Sequence, residues 1–318
     1  MTTSTYLVRC GTARVAVHGD NTVVKPLLDA CHPWFTATPC PQRPPTGLWT
    51  IRLDARPRGR AMASRTGTAV HLEPDQRTLH LPPPSAPAAA RPHIRLLRAL
   101  LRRQLAAHGE VFLPAALLSI HDRGLALLGP THTGKTSTLL ATLHRRDHSR
   151  FVANDDSSLH LRTGTVLGRG YPRAVEVRHA TLPHLGAAAG PLAAAAQPDS
   201  PDDALCLHPH QVAIALGTGL ASDVPLVALV VLGTAPTQPT LTRLTPDDAE
   251  QALTTHADDA DPYETWLAPY FPTARTPRTH LSRIARTVPT WHLAQPLTAL
   301  PRSAELLAQL ATHPGGHQ

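Results

Sequence analysis

The sequence predicts an α/β protein with a small α+β unit ahead of its main domain, and three observations carry that reading. A strand-like run at residues 124–128 passes through a glycine-containing turn into a helical stretch at 137–146, the order from which α/β units are built. A fully apolar run at 224–232 suits a strand buried on both faces. A Pro/Ala-rich segment at 82–92 cannot pair inside a sheet and separates a strand-rich opening from the rest.

Along the chain, alternating runs at residues 6–9, 13–18, 48–53, 69–72 and 78–81 predict strands, and 23–30 predicts one short helix. The domain boundary then falls near residue 90, giving a basic α+β accessory domain over 1–90 and a main domain over 91–318. Ile94, Leu97, Leu101 and Leu105 recur at helical spacing while Arg91, Arg95, Arg98 and Arg102 line another face, which predicts an amphipathic, basic helix. Strand-like runs follow at 111–120 and 124–128, then a helix at 137–146 and a strand at 150–153 that ends in Asn-Asp-Asp. The buried strand at 226–232 leads to helices at 246–255, 263–268 and 280–287, a last strand at 289–293 and a closing helix at 304–311. Residues 185–203, rich in Ala, Gly and Pro, read as a mobile loop.

Composition excludes several classes. At 318 residues the chain is long enough for one large or two modest domains with a real core, and no apolar run approaches the ~18 residues of a membrane span. The N-terminus has neither a basic n-region nor an apolar h-region, so the expected location is cytoplasmic. Cys10, Cys31, Cys40 and Cys206 lack C-x-x-C spacing and read as reduced core thiols; Cys206, His208 and His210 are a weak metal signal. Of 30 basic side chains only Lys25 and Lys135 are lysine, and Asn21 and Asn154 are the only asparagines, a bias typical of GC-rich, actinobacterial coding. A lysine kept against that bias marks a place where a compact ammonium is needed and a planar guanidinium will not serve.

Charge is uneven: residues 1–110 carry 15 basic and 6 acidic side chains, the remainder 15 and 17. The excess, with Arg52, Arg56, Arg58, Arg60 and Arg65 in one run, reads either as a solvated face or as a dock for an acidic peptide or nucleic acid. Aromatics at 4% and no base-reading motif argue against nucleic acid.

The chemistry concentrates in Gly129, Pro130, Thr131, His132, Thr133, Gly134, Lys135 and Thr136, a G-x-x-x-x-G-K-[ST] pattern followed by Ser137. The glycines let backbone N–H groups turn inward around a β-phosphate, and the following helix adds the positive end of its dipole. Lys135 would reach the β- and γ-phosphates and Thr136 would offer its hydroxyl to Mg²⁺. Phosphoryl transfer also needs a carboxylate. The run 226–232 ends at Gly233 without one, so Asp155 and Asp156, about 20 residues beyond the loop, are the candidates. Adjacent residues at a strand end cannot both point the same way, so one aspartate faces the γ-phosphate as base or metal partner and the other caps or turns.

With these residues in view, residues 110–182 resemble the HPr kinase/phosphorylase family and its wider set of HPr kinase-like serine kinases. The phosphate loop, the Asn-Asp-Asp strand end and Glu176-Val177-Arg178 are similar, in order, to that family's loop, Asp-Asp pair and later E-I-R-type segment. The resemblance implies a P-loop HPr kinase-like (PEP carboxykinase-like) catalytic domain with a small N-terminal α+β domain, ATP and Mg²⁺ as cofactors, and a homo-oligomer. It implies catalytic roles for Asp155, Asp156, Lys135 and Arg178, and a metal held by Thr136, Asp155 and Glu176. The expected activity is phosphorylation of a hydroxyl, on Ser or Thr of a peptide or protein such as a natural-product precursor peptide. Two alternatives stay open: a small hydroxyl metabolite as acceptor, and a nucleotide-binding regulatory or scaffold protein without transfer. The chain departs from the family at Pro114, where a histidine usually stands 15 residues before the first loop glycine; His121 lies at a different point of the hairpin.

Overall fold

The computed structural model describes residues 2–40, 45–54, 58–65, 67–85, 90–144, 147–196, 202–235, 237–258, 261, 264–272 and 278–313. The fold is mixed α/β, in two units: Met1–Gly109 with Asp259–Arg275, and Glu110–Asp258 with Thr276–Gln318.

The first unit contains β1 (Thr3–Cys10), β2 (Ala13–Asp20), α1 (Asn21–Asp29), β3 (Thr36–Pro39), β4 (Trp49–Leu53), β5 (Arg60–Ala63), β6 (Ala69–Glu73), β7 (Thr78–Leu81) and α2 (Arg91–Ala107). Its seven strands run in the order β3-β1-β2-β4-β7-β6-β5. The central β2, β4 and β7 are parallel, and the flanking pairs are antiparallel. Val15, Val17, Ile51, Leu79 and Leu81 fill the core, as period-2 alternation requires. Asp20 caps α1, its Oδ1 accepting from Thr22 N at 2.8 Å.

The basic face expected on α2 is turned inward. Arg98 and Arg102 are buried, Arg95 pairs with Glu264 at 3.5 Å, and Arg103 donates to the carbonyls of Asp261 and Glu264, at 3.1 Å each. Glu264 is fully buried and comes from the segment 259–275, which also stacks Phe271 on Trp49 with centroids 5.2 Å apart. Helical periodicity reports which face is polar but not whether an acidic segment from far along the chain covers it. The same contacts place α2 with the first unit, so the break falls after Gly109 and not near residue 90. Of the arginine run, Arg56 lies outside the described residues, Arg58 and Arg60 are exposed at the edge strand β5, and Arg52 pairs with Asp54.

The second unit contains β8 (Val111–Leu113), β9 (Ala116–Ile120), β10 (Arg123–Leu128), α3 (Lys135–His144), β11 (Ser149–Ala153), β12 (Ser157–Arg162), β13 (Thr165–Gly170), β14 (Val175–Arg178), α4 (Ala189–Ala195), β15 (Ala204–Leu207), α5 (Pro209–Leu216), β16 (Gly219–Leu220), β17 (Asp223–Thr234), β18 (Thr240–Arg243), α6 (Pro246–His256), α7 (Arg278–Thr287), β19 (Thr290–Gln295) and α8 (Leu300–Thr312). A ten-stranded sheet is organised around the 12-residue β17. Its N-terminal end pairs antiparallel with β13 and continues to β12 and β8; its C-terminal half lies parallel between β10 and β19. Leu117, Leu128, Leu159 and Leu229 form a core with Leu253 of α6 and Ile284 of α7.

A polar network is buried beside β8. Glu110 accepts from Ser158 Oγ at 2.6 Å and from Arg169, while Ser158 also meets Tyr171 Oη at 2.9 Å. All four residues are at most 5% exposed, so the pair is shielded from water and held by its own hydrogen bonds.

Several expectations are revised. Residues 111–120 form two strands, because Pro114 supplies no ladder N–H. The expected loop at 185–203 contains α4, with 197–201 outside the described residues. The helix expected at 263–268 is a 3₁₀ turn, Thr265–Tyr270, with Tyr263 outside the described residues.

Candidate active site

Because β9 runs antiparallel to both β10 and β11, and β10, β17 and β19 are mutually parallel, the carboxyl ends of β10, β11, β17 and β19 share one edge. Open α/β sheets bind ligands at such an edge. All the loop residues named from the sequence lie there, in the turn after β10 and the first turn of α3.

The loop depends on its glycines. Gly129 has φ +147°, and a Cβ there would lie 3.0 Å from the Leu232 carbonyl oxygen of β17. Gly134 has φ +89°, and His132 takes a left-handed φ of +72° without being glycine. Thr133 Oγ1 donates to the Pro130 carbonyl at 2.8 Å, and Thr138 N to the Gly134 carbonyl at 2.8 Å, which starts the helical ladder. The N–H groups ahead of that ladder have no intrahelical partner, an arrangement that suits an anion.

Lys135 Nζ reaches back across the loop to the carbonyls of Gly129 at 2.8 Å and Pro130 at 3.0 Å. Burial holds its ammonium below the usual lysine range, and the charge of Asp155 opposes that shift. Thr136 Oγ1 donates to Asn154 Oδ1 at 2.9 Å, tying α3 to the end of β11.

The two aspartates divide as adjacent residues should. Asp155, at φ +57° in the turn after β11, is partly exposed, whereas Asp156 is 2% exposed. Arg173 NH2 lies 3.4 Å from Asp155 Oδ2, and NH1 donates to the Asp155 carbonyl at 3.0 Å. The arginine on this turn is therefore Arg173 and not Arg178. Glu176 and Arg178 occupy the exposed positions of β14, and neither side chain makes a hydrogen bond or ion pair among the described residues.

Three further residues join the site without a local signal in the sequence. Gln295, at the end of β19 and 2% exposed, donates from Nε2 to Thr138 Oγ1 at 2.6 Å. Its position at the C-terminal end of a parallel strand is the one clue that could have marked it. Arg173 is reached only through the turn it grips. His256, the last residue of α6, is held below its ordinary value of 6.5 first by burial and then by the positive charge of Lys135.

The donor set fits a triphosphate: an N–H cradle, an ammonium and a hydroxyl. Among the described residues no group of three or more His, Cys, Asp or Glu side chains could hold a metal. A Mg²⁺ here would therefore take Thr136, Asp155 and nucleotide oxygens as ligands, in the manner of that ion, and not a protein cage. Of the weak metal signal, His208 caps a helix and His210 lies in that helix's first turn. His208 forms a capping box on α5 with Gln211, and the two rings stack with centroids 5.2 Å apart. His121 lies in the β9–β10 turn at φ +50°, at the opposite end of β10 from the loop.

No protein-family model and no curated protein matches the chain. Among solved structures, the Hpr(Ser) kinase/phosphatase from Coxiella burnetii is similar over 64% of this chain and 97% of its own, at 12% identity and a TM-score of 0.33. Among the described residues no helix is long and apolar enough to cross a membrane.

Proposed function

We propose that the chain is an ATP-dependent kinase that transfers the γ-phosphoryl group to a hydroxyl, on Ser or Thr of a peptide or protein. The observation that carries this reading is the convergence at one sheet edge of the phosphate loop, Lys135, the Thr136–Asn154 bond and the partly exposed Asp155. In it, the loop amides and Lys135 hold the β- and γ-phosphates, and Thr136 and Asp155 hold the metal. Mg²⁺, when bound, neutralises charge on the phosphate oxygens. Arg173 fixes the Asp155 turn and adds positive charge near the transferred group. Asp156, buried behind it, shapes the turn.

The exposed arginines of the first unit, Arg58 and Arg60 at the edge strand β5, favour an acidic peptide such as a precursor peptide as the acceptor. The test is incubation with ATP, Mg²⁺ and a panel of serine-containing acidic peptides, read as a one-phosphate mass gain. Lys135→Ala should abolish both MgATP binding and the gain. Transfer by Lys135→Ala at the wild-type rate would remove the site from the loop.

A further inference from the structure

One face of the first unit's sheet packs Val15, Val17, Ile51 and Leu79 into the core, so the alternate residues of the same strands project from the other face. There the register sets Thr5 of β1 opposite His18 of β2, and His18 opposite Arg52 of β4. Directly opposed residues of paired strands project to the same side, one strand spacing of ~4.8 Å apart, so the three side chains form a row. Thr50, two residues before Arg52, shares that face and stands opposite Thr78 of β7. These residues floor a cavity of about 610 Å³, walled by the turns that precede β4 and β7. Its volume lies within the span of about 300–1,000 Å³ usual for small-ligand sites. Arg77 ties the two turns together: its NH1 donates to the Gly47 carbonyl at 2.9 Å, and its own carbonyl accepts from Thr50 N at 2.9 Å. Every lining residue belongs to the first unit, whereas the phosphate loop belongs to the second.

The polar groups on this floor and rim are held in place but not used up. Arg52 gives Nε to Asp54 Oδ2 at 3.2 Å, which orients the guanidinium and leaves its two terminal nitrogens without a partner among the described residues. His18 engages Thr5 Oγ1 through Nδ1 at 2.9 Å, which leaves Nε2. Arg77 commits only NH1, and the Thr50 hydroxyl makes no bond among the described residues. Of the described lining residues only Asp75 is acidic, against Arg52, Arg77 and His18. Two guanidinium groups, an imidazole and a hydroxyl converging on one small cavity match a compact dianion, since a planar fork pairs bidentately with carboxylate or phosphate oxygens. We propose that this cavity of the first unit binds a small dianionic molecule, a phosphate monoester or a dicarboxylate, through Arg52, Arg77, His18 and Thr50. The charged groups facing His18 are Arg52 and Asp54 from β4 and, on the rim, Asp75 and Arg77. Burial first, and then the charge of Arg52, hold the empty site's imidazole below its ordinary value, with Asp54 opposing. A bound dianion adds the opposite influence and favours the imidazolium.

The experiment titrates the full chain with glycerol 3-phosphate and with succinate by calorimetry, glycerol serving as the neutral control. Wild type is compared with Arg52→Gln, Arg77→Gln and Thr50→Val, each checked for a native melting transition, and with Lys135→Ala, because the phosphate loop is a competing anion site. At least one dianion should bind wild type and Lys135→Ala alike, and glycerol neither. Arg52→Gln and Arg77→Gln should each weaken that binding ~10- to 100-fold, the loss of a charge-assisted hydrogen bond, and Thr50→Val ~2- to 10-fold. Arg77 and Thr50 make no side-chain ion pair, so their variants keep the test decisive if Arg52→Gln does not fold. By NMR, the ring signal absent from His18→Gln should titrate at higher pH with the dianion bound. Tighter glycerol 3-phosphate assigns the site to phosphate monoesters and tighter succinate to dicarboxylates, and either supports the proposal. Binding of neither dianion, affinities unchanged in the Arg77 and Thr50 variants, binding lost only in Lys135→Ala, or an unmoved His18 titration would overturn it and leave the phosphoryl-transfer reading standing.

Discussion

Replacing Gly129 by alanine sets a methyl group against a carbonyl that cannot retreat. The backbone there, at φ +147°, is one that L-residues rarely adopt, a strain of about 1–3 kcal/mol. The new Cβ would lie 3.0 Å from the Leu232 oxygen, on a strand pinned between β10 and β19, and 2.9 Å from Thr133 Oγ1. Thr133 can rotate away only by giving up its 2.8 Å bond to Pro130, worth about 0.5–1.5 kcal/mol. The sum is about 2–4 kcal/mol. At roughly 2–4 °C per kcal/mol for a unit of this size, the melting temperature should fall by about 5–15 °C. Gly134→Ala is the control. Its Cβ would crowd the Leu297 Cδ2 at 2.8 Å, the free end of a side chain 37% exposed, and lie in ordinary contact with Gln295 Nε2 at 3.6 Å, so strain of about 1–2 kcal/mol is the main cost. Circular-dichroism melts of the three proteins decide the matter. A Gly129→Ala protein as stable as wild type, or more stable than Gly134→Ala, would refute the reasoning.

Glu110→Ala should cost about 3–5 kcal/mol in urea unfolding, because it strands Arg169 in a dry interior, and Glu110→Gln should cost less; a loss under about 1 kcal/mol would show that water reaches the network. Arg98→Ala and Arg102→Ala should lower the melting temperature, since both side chains are buried; weaker acidic-peptide binding with no stability change would mean that this face of α2 is solvated after all. His18, His160 and His256 all have folded-state values lowered chiefly by burial, so the unfolded chain takes up protons first. Their contribution is complete above pH ~6.5 and is lost as pH falls through the folded values, so the melting temperature should drop between pH 7.5 and 5; a flat profile would contradict the burial.

The loop, its helix and the aspartate turn were legible because each is a local pattern: glycines at fixed offsets, one retained lysine, and a strand ending in Asn-Asp-Asp. Asn154 stood out as one of two asparagines, and its bond to Thr136 accounts for its presence. Glu176 and Arg178 stand apart from that cluster, at exposed positions of β14, and neither makes a side-chain hydrogen bond or ion pair among the described residues. His256 and Gln295 were invisible for a different reason. Gln295 bonds Thr138 across 157 residues of chain, and His256 comes within the field of Lys135 from the end of α6, and no window of sequence encodes contacts so far apart. The inward turn of α2 was hidden on the same ground, because Glu264, the partner of Arg95, arrives from far along the chain.

The hydrogen bond from Gln295 to Thr138 spans 157 residues of chain. At about 5–20 residues per second of synthesis, the first turn of α3 waits roughly 8–30 s for the strand that secures it. A nascent chain halted before β19 thus carries every residue of the phosphate motif without the support that holds the motif in shape. Deletion of the last strand and helix should disarm the site as surely as a change in the loop itself, and a ribosome-stalled fragment ending before Thr290 should fail to retain nucleotide.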